Sequence, residues 1–303
     1  MYVVTGSTGH TGSVIAKKLL AHGKKVRVVG RSAERLSTFV SLGAEPFPGD
    51  ISDKEAVARA FSGAEAAYVM IPPDLANPNY PAYQDKVIEA VASALEKEAP
   101  AHVVALSSFG ADKPDKTGPI AGLHRMEERL KRISGLNTLF LRAGYFMENT
   151  LPQAGVIQQM GATAGPLKPE LKIPMIATQD IGAFAADALL RLDFRGYQTQ
   201  ELQGEHDLTM PEATSVIGKT IGKPDLQYRQ ITYDQFRGIL LQMGASQSIA
   251  DLFVEMSEAL NSGYVRALEP RSERNTTPTS YEQFVREEFV PAYQATTAGA
   301  ARA

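Results

Sequence analysis

The chain opens Met1-Tyr2-Val3-Val4-Thr5-Gly6-Ser7-Thr8-Gly9-His10-Thr11-Gly12, and the reading of these residues decides the fold. A short β-branched run breaks into glycines at 6, 9 and 12, and Ser13-Val14-Ile15-Ala16-Lys17-Lys18-Leu19-Leu20 follows. The pattern is strand, tight loop, amphipathic helix. Glycines let the backbone turn sharply and approach a phosphate with no Cβ in the way. The first-turn N–H groups of a helix have no partners within it, so an anion satisfies them while the helix dipole adds attraction. An ordinary glycine-rich turn is the alternative, but a loop between strand and helix is what the dinucleotide fingerprint requires. Gly6, Ser7, Thr8, Gly9, His10, Thr11 and Gly12 are therefore the expected pyrophosphate loop.

Outward from that loop, residues 1–150 alternate strand and helix patterns, which predicts a doubly wound parallel sheet with helices on both faces. Strands are expected at Tyr2–Thr5, Lys25–Gly30, Glu45–Pro48, Ala66–Ile71, His102–Ser107 and Asn137–Arg142. Helices are expected at Val14–His22, Ala33–Leu42, Asp53–Phe61 (capped by Ser52), Tyr83–Glu98 and Ile120–Ile133. After Gly144 the rhythm changes, and 151–294 reads as a smaller, mostly helical region for a substrate or partner, with parts of 172–210 completing the first domain. Its helices are expected at Val156–Met160, Asp180–Leu192, Pro211–Ile221, Tyr233–Met243, Ser248–Asn261 and Ser280–Phe289, with a strand at Leu226–Ile231. The small, polar stretch 295–303 is expected to be a disordered tail.

Bulk properties exclude several classes. A chain of 303 residues with a formal net charge of -3 offers nucleic acid or an anionic membrane no electrostatic attraction. With no cysteine, thiolate catalysis, disulfides and cysteine-ligated zinc are ruled out, and the scattered histidines lack metal-ligand spacing. Met1 leads straight into the first strand and no apolar run reaches membrane-span length, so a cytoplasmic location is expected.

The second strand ends at Gly30-Arg31-Ser32, 25 positions after Gly6. An acidic residue here would accept from the ribose 2′-OH of NAD; an arginine accommodates the 2′-phosphate of NADP. Arg31, with Ser32 and Arg35 as a further donor and cation, predicts NADP(H) in preference to NAD(H); the alternative is a surface arginine at a strand end. Asp50 either reaches the adenine amine or stabilises a turn, and Ile71-Pro72 would pass beside the cofactor.

The combination of Thr5-Gly6-Ser7-Thr8-Gly9-His10-Thr11-Gly12, Gly30-Arg31, Gly49-Asp50, Leu106-Ser107-Ser108 and Leu141-Arg142-Ala143-Gly144-Tyr145-Phe146-Met147-Glu148-Asn149 resembles the NmrA-like family, atypical members of the short-chain dehydrogenase/reductase superfamily. Asp180-Ile181-Gly182 and Thr277-Pro278-Thr279-Ser280-Tyr281-Glu282-Gln283-Phe284 extend the resemblance almost to the end of the chain. It implies a Rossmann domain that binds NAD(P) and a smaller C-terminal substrate region. That family includes type-2 NAD(P)H:quinone oxidoreductases, dye reductases, and regulators that bind dinucleotide without turning it over.

Typical short-chain dehydrogenases pair a serine after the fifth strand with a Tyr-x-x-x-Lys helix that supplies a general acid. Ser107 and Ser108 are present here, either to hydrogen-bond nicotinamide or substrate or simply to end the strand; the helix reads Gly122-Leu123-His124-Arg125-Met126-Glu127-Glu128-Arg129-Leu130, with no Tyr-x-x-x-Lys. His124 and Glu128, one turn apart, stand at the matching spacing, and the resemblance implies a His–Glu pair able to donate to a carbonyl. The alternative is a solvated face, since Glu127–Lys131 and Glu128–Arg132 also pair at i,i+4. Tyr145, Phe146 and Asn149 follow the sixth strand as a candidate wall for a flat substrate, although aromatic residues there also suit packing. Met147, Met160, Met175 and the stretch Gly161 to Gly165 are further candidates for a loose apolar substrate wall.

Two functions fit these residues. One is an NADPH-dependent reductase of a quinone or similar flat conjugated acceptor, a small apolar or aromatic substrate whose conjugation makes a strong general acid dispensable. The other is a non-catalytic NADP(H)-binding redox sensor acting through a protein partner, or as a homo-oligomer.

Overall fold

Parallel strands alternating with helices require a sheet buried on both faces, and the chain builds one. A computed structural model describes residues 1–300, with side chains to Thr296. β1 (Tyr2–Val4) leads through the glycine loop into α1 (His10–Ala21), and β2 (Val26–Gly30) into α2 (Ala33–Val40). There follow β3 (Glu45–Pro48), α3 (Lys54–Ala60), β4 (Ala66–Val69), α4 (Tyr80–Glu98), β5 (His102–Ser108), α5 (Ile120–Lys131) and β6 (Asn137–Ala143). Beyond them come β7 (Tyr145–Phe146), a 3-10 turn at Met147–Thr150, α6 (Gln153–Met160), β8 (Thr163–Gly165), β9 (Ile173–Ile176), α7 (Thr178–Arg191) and β10 (Tyr197–Leu202).

Seven strands form one sheet in the order β10-β6-β5-β4-β1-β2-β3, every pair parallel. Alternation along β1 divides the core: Tyr2 and Val4 pack with α1, α2 and α7, whereas Val3 packs with α3, α4 and α5. Strand order reverses between β1 and β4. At such a switch point open α/β sheets bind ligands beyond the carboxyl ends of their strands, and the glycine loop that follows β1 lies at that end.

The remaining elements are β11 (Asp207–Leu208), α8 (Met210–Thr220), β12 (Tyr228–Gln230), α9 (Tyr233–Gln242), α10 (Gln247–Asn261), α11 (Tyr281–Phe284), a π-helical turn at Val285–Phe289 and α12 (Val290–Ala300). They join β7, β9 and β11 in a small sheet and pair β8 with β12, around a second core that includes Met147, Met175, Tyr281 and Phe289. Among the described residues no helix is long and apolar enough to cross a membrane.

Several local expectations change. α3 is capped by Asp53, whose carboxylate accepts from Glu55 and Ala56 N–H, not by Ser52, whose own N–H goes to Asp50. α7 begins at Thr178 rather than at Asp180, and Glu148 reaches from 30 residues upstream to accept from the Thr178 N–H and hydroxyl. Asp180 instead accepts from the N–H and hydroxyl of Thr279, at 3.0 and 2.7 Å. Two distant sequence motifs are thereby sewn to the same helix. The strand β10 was hidden by its polar sequence: buried Glu201 accepts from the N–H groups of Leu268 and Glu269, so a late loop covers this sheet edge. Of the expected 295–303 tail, residues through Ala300 belong to α12, and 301–303 lie outside the described residues.

Candidate functional site

The glycine loop is shaped by close backbone approach. Gly6 has φ of +60°, and the Gly9 N–H returns to the Gly6 carbonyl at 2.9 Å. A Cβ on Gly12 would lie 2.4 Å from the Gly6 oxygen, so the first turn of α1 rests directly on the loop. Buried Ser7 donates to the Val29 carbonyl, and buried Thr11 bonds the Tyr68 hydroxyl, which ties the loop to β2 and β4. Thr8 is half-buried, while Gly9 and His10 are exposed above them. Gly9 gives α1 no side-chain cap and its first turn has no acidic residue, so the leading N–H groups have room for an anion. This backbone cradle fits a dinucleotide pyrophosphate.

Arg31 leaves the end of β2 exposed, with no hydrogen bond or ion pair among the described residues. Ser32 caps α2 by accepting from the Arg35 N–H, and the Arg35 guanidinium donates to the Thr8 carbonyl at 3.0 Å. Arg31, Ser32, Arg35 and the glycine loop thus share one corner, a donor set suited to a phosphate on the ribose. Asp50 uses its carboxylate in the turn to Ser52, so the turn role of the two alternatives is the one occupied. Ile71 is buried and Pro72 half-buried after β4, where the Pro72 carbonyl accepts from Tyr83.

At the ends of β5 and β6 the structure assembles a buried polar group that the sequence reading overlooked. Ser107 donates to Glu127 at 2.6 Å, and Arg142 grips the same carboxylate through Nε at 2.9 Å and Nη2 at 2.6 Å. Glu127 is fully buried. The helical register held the clue: Leu123, Glu127 and Leu130 fall at i, i+4 and i+7 on the apolar stripe, and a carboxylate there needs a built partner. With its hydrogen committed to Glu127, Ser107 offers a neighbour only lone pairs; half-buried Ser108 keeps an unengaged hydroxyl.

His124 and Glu128 lie elsewhere. The His124 Nδ1–H donates to the Ala111 carbonyl at 2.9 Å, and both residues line a groove of about 380 Å³ between α4 and α5, beside Asp85 and Arg125. A hydrogen bond from Lys131 holds the Glu128 carboxyl below its ordinary range, against the upward pull of burial. The structure brings Ser107 together with Glu127, and not with His124 or Glu128. Replacing Glu127 with Gln is expected to cost about 2 kcal/mol of folding stability, because Arg142 keeps its burial and loses its counter-charge. His124→Gln, at one half-buried hydrogen bond between neutral groups, is expected to cost under about 1 kcal/mol. Urea unfolding of the two variants measures both, and equal costs would contradict the assignment.

Tyr145 and Phe146 alternate across β7, so that Phe146 packs on the sheet core and Tyr145 on the second core. Tyr145 is half-buried, and its hydroxyl has no hydrogen-bond partner among the described residues. Burial pushes its phenol up to about 12, so it stays a protonated donor at neutral pH. Asn149 is exposed at the rim. Met147 and Met175, expected to line a loose apolar wall, are instead packed out of reach in the second core.

The model of the NmrA-like family matches residues 2–285. A (4-alkanoyl-5-oxo-2,5-dihydrofuran-3-yl)methyl phosphate reductase of Streptomyces griseus subsp. griseus is 28% identical over 270 residues, covering 89% of this chain and 90% of that protein. An NAD(P)H azoreductase of Xenophilus azovorans is 26% identical over 260 residues, covering 84% and 86%. Among solved structures, an NADPH-dependent quinone oxidoreductase of Escherichia coli, in complex with NADPH, superposes with a TM-score of 0.79 at 20% identity, covering 95% of this chain and 100% of that one.

Proposed function

We propose that this chain, which belongs to the NmrA-like family, is an NADPH-dependent reductase of a flat conjugated acceptor such as a quinone. The observation that carries the reading is a corner at the sheet's switch point: an uncapped α1 N-terminus beside the free guanidinium of Arg31. Its matched relatives support the chemistry. They are reductases of a dihydrofuranone phosphate and of azo compounds, and the structural neighbour is a quinone oxidoreductase. All three substrate types offer a conjugated electrophile.

In this reading Gly6 to Gly12 present the α1 N–H groups to the pyrophosphate, and Arg31, Ser32 and Arg35 hold the 2′-phosphate. Ser107, oriented by Glu127 and Arg142, accepts from a donor such as the carboxamide N–H, and Ile71-Pro72 edge the same crevice. Reduced nicotinamide, when bound, supplies a hydride. Conjugation spreads the charge that arrives on the acceptor, so the missing Tyr-x-x-x-Lys relay is tolerable.

One observation favours the sensor reading: Ser107, the first of the two serines that close β5, is locked onto Glu127 and not free to donate to a substrate. NADPH oxidation with a panel of quinones and azo dyes, beside NADPH and NADP⁺ affinities, separates the two. The expected result is acceptor-dependent oxidation. Tight, redox-selective binding with no turnover on any acceptor would replace the reductase by a sensor.

A further inference from the structure

Reducing an acceptor at oxygen leaves negative charge there, and a donor at that atom would speed the step. Two of the donors expected from sequence are engaged: Ser107 gives its hydrogen to Glu127, and His124, at the α4–α5 groove, gives its Nδ1 hydrogen to the Ala111 carbonyl, which leaves Ser108 and Tyr145. Tyr145 differs. It stands two residues beyond Ala143, the register partner of Ser108, and therefore just past the carboxyl ends of β5 and β6. Tyr228 and Tyr281 are its electrostatic neighbours, but the Tyr228 hydroxyl donates to the Leu167 carbonyl at 2.8 Å and that of Tyr281 to Thr150 at 3.0 Å. Among the described residues the Tyr145 hydroxyl alone of these three is unpartnered, on a half-buried residue whose backbone is held by β7 pairing with β9.

We infer that the Tyr145 phenol is the hydrogen-bond and proton donor at the oxygen of the acceptor, standing in for the missing helix tyrosine. The inference rests on the reductase reading. The balance is simple: the acceptor takes two electrons and one hydrogen as hydride from NADPH, and its oxygen takes the Tyr145 proton. Solvent then reprotonates the phenolate, so that acceptor, NADPH and one proton give reduced acceptor and NADP⁺.

Wild type, Tyr145→Phe and Ser108→Ala are compared on a p-quinone and on a cationic triphenylmethane dye, whose central carbon takes hydride with no proton. NADPH affinity and the melting midpoint serve as folding controls. Tyr145→Phe is expected to lower quinone kcat at least about 10-fold and to change dye turnover by less than about 2-fold. Equal losses on both acceptors would make Tyr145 a packing residue, and a quinone-selective loss in Ser108→Ala alone would move the role to Ser108; either overturns the inference. A second readout needs no turnover: 4-nitrophenolate bound beside NADP⁺ should show an absorbance shift that Tyr145→Phe abolishes. Should wild type reduce nothing, the reductase reading fails, and that shift still decides whether Tyr145 is a donor; its persistence in Tyr145→Phe overturns the assignment.

Discussion

Gly12→Val is expected to raise the NADPH dissociation constant by at least about 1000-fold, equivalent to about 4 kcal/mol, while leaving a folded chain. A Cβ at this position would lie 2.4 Å from the Gly6 oxygen, 2.7 Å from the Gly6 carbonyl carbon and 2.9 Å from Ser7 Cα. All three are backbone atoms, so no side-chain rotation relieves the contact. Helix α1 cannot simply retreat, because α7 closes on it from the other side: a Cβ on Gly182 would already meet the Thr11 oxygen at 2.8 Å. The loop must therefore open, and the α1 N–H groups proposed to hold the pyrophosphate lose their common focus. Overpacking of this kind costs about 1–3 kcal/mol of stability, which a domain with two buried sheet faces survives. Fluorescence titration with NADPH reads the loss, and a thermal melt without cofactor shows whether the fold persists. A folded variant with NADPH affinity within about 10-fold of wild type would remove the glycine loop from the binding site.

The strand–loop–helix start was legible because its chemistry is local: glycine spacing and a β-branched run dictate their own backbone. The same holds for the β2–Arg31 corner, since the end of a parallel strand fixes where the next side chain emerges. What stayed hidden depends on contacts across the fold. The i,i+4 spacing offers Glu127 to Lys131 on a solvated face as one alternative, because sequence spacing names neighbours on the helix and not the strand beneath it. Lys131 does lie 3.8 Å from its carboxylate, but Ser107 and Arg142, 20 and 15 positions away, hold that carboxylate in the interior at 2.6 Å. Glu148 and Asp180 were equally opaque, as each carboxylate serves a partner 30 or 99 positions distant. The polar strand β10 escaped notice because its buried Glu201 is satisfied by a loop near residue 268. Long-range partners turn charges that look exposed into structural ones, and no local pattern announces them.

Arg31→Asp is expected to raise the NADPH dissociation constant about 100-fold and to change that for NADH by less than about 3-fold. The 2′-phosphate is the only group that distinguishes the two cofactors, and Arg31 is the cation at this corner with no protein partner among the described residues. Loss of a charge-assisted hydrogen bond costs about 1.5–3 kcal/mol, and the new carboxylate adds repulsion of the same sign. Toward NADH the carboxylate instead meets a neutral 2′-OH from which it can accept, so the penalty vanishes. Arg35 sets the expected contrast. Its guanidinium already donates to the Thr8 carbonyl, so Arg35→Ala should weaken both cofactors through the loop and discriminate less between them. Asp50 lies on the adjoining strand end and its carboxylate is held by Ser52 N–H, so it neither moves to pair with Arg31 nor replaces it. Titration of each variant with NADPH and NADH at two salt concentrations reads the effect, since a partly exposed phosphate contact weakens as ionic strength rises. Equal losses for the two cofactors in Arg31→Asp would show that the arginine supports the strand end and does not touch the phosphate.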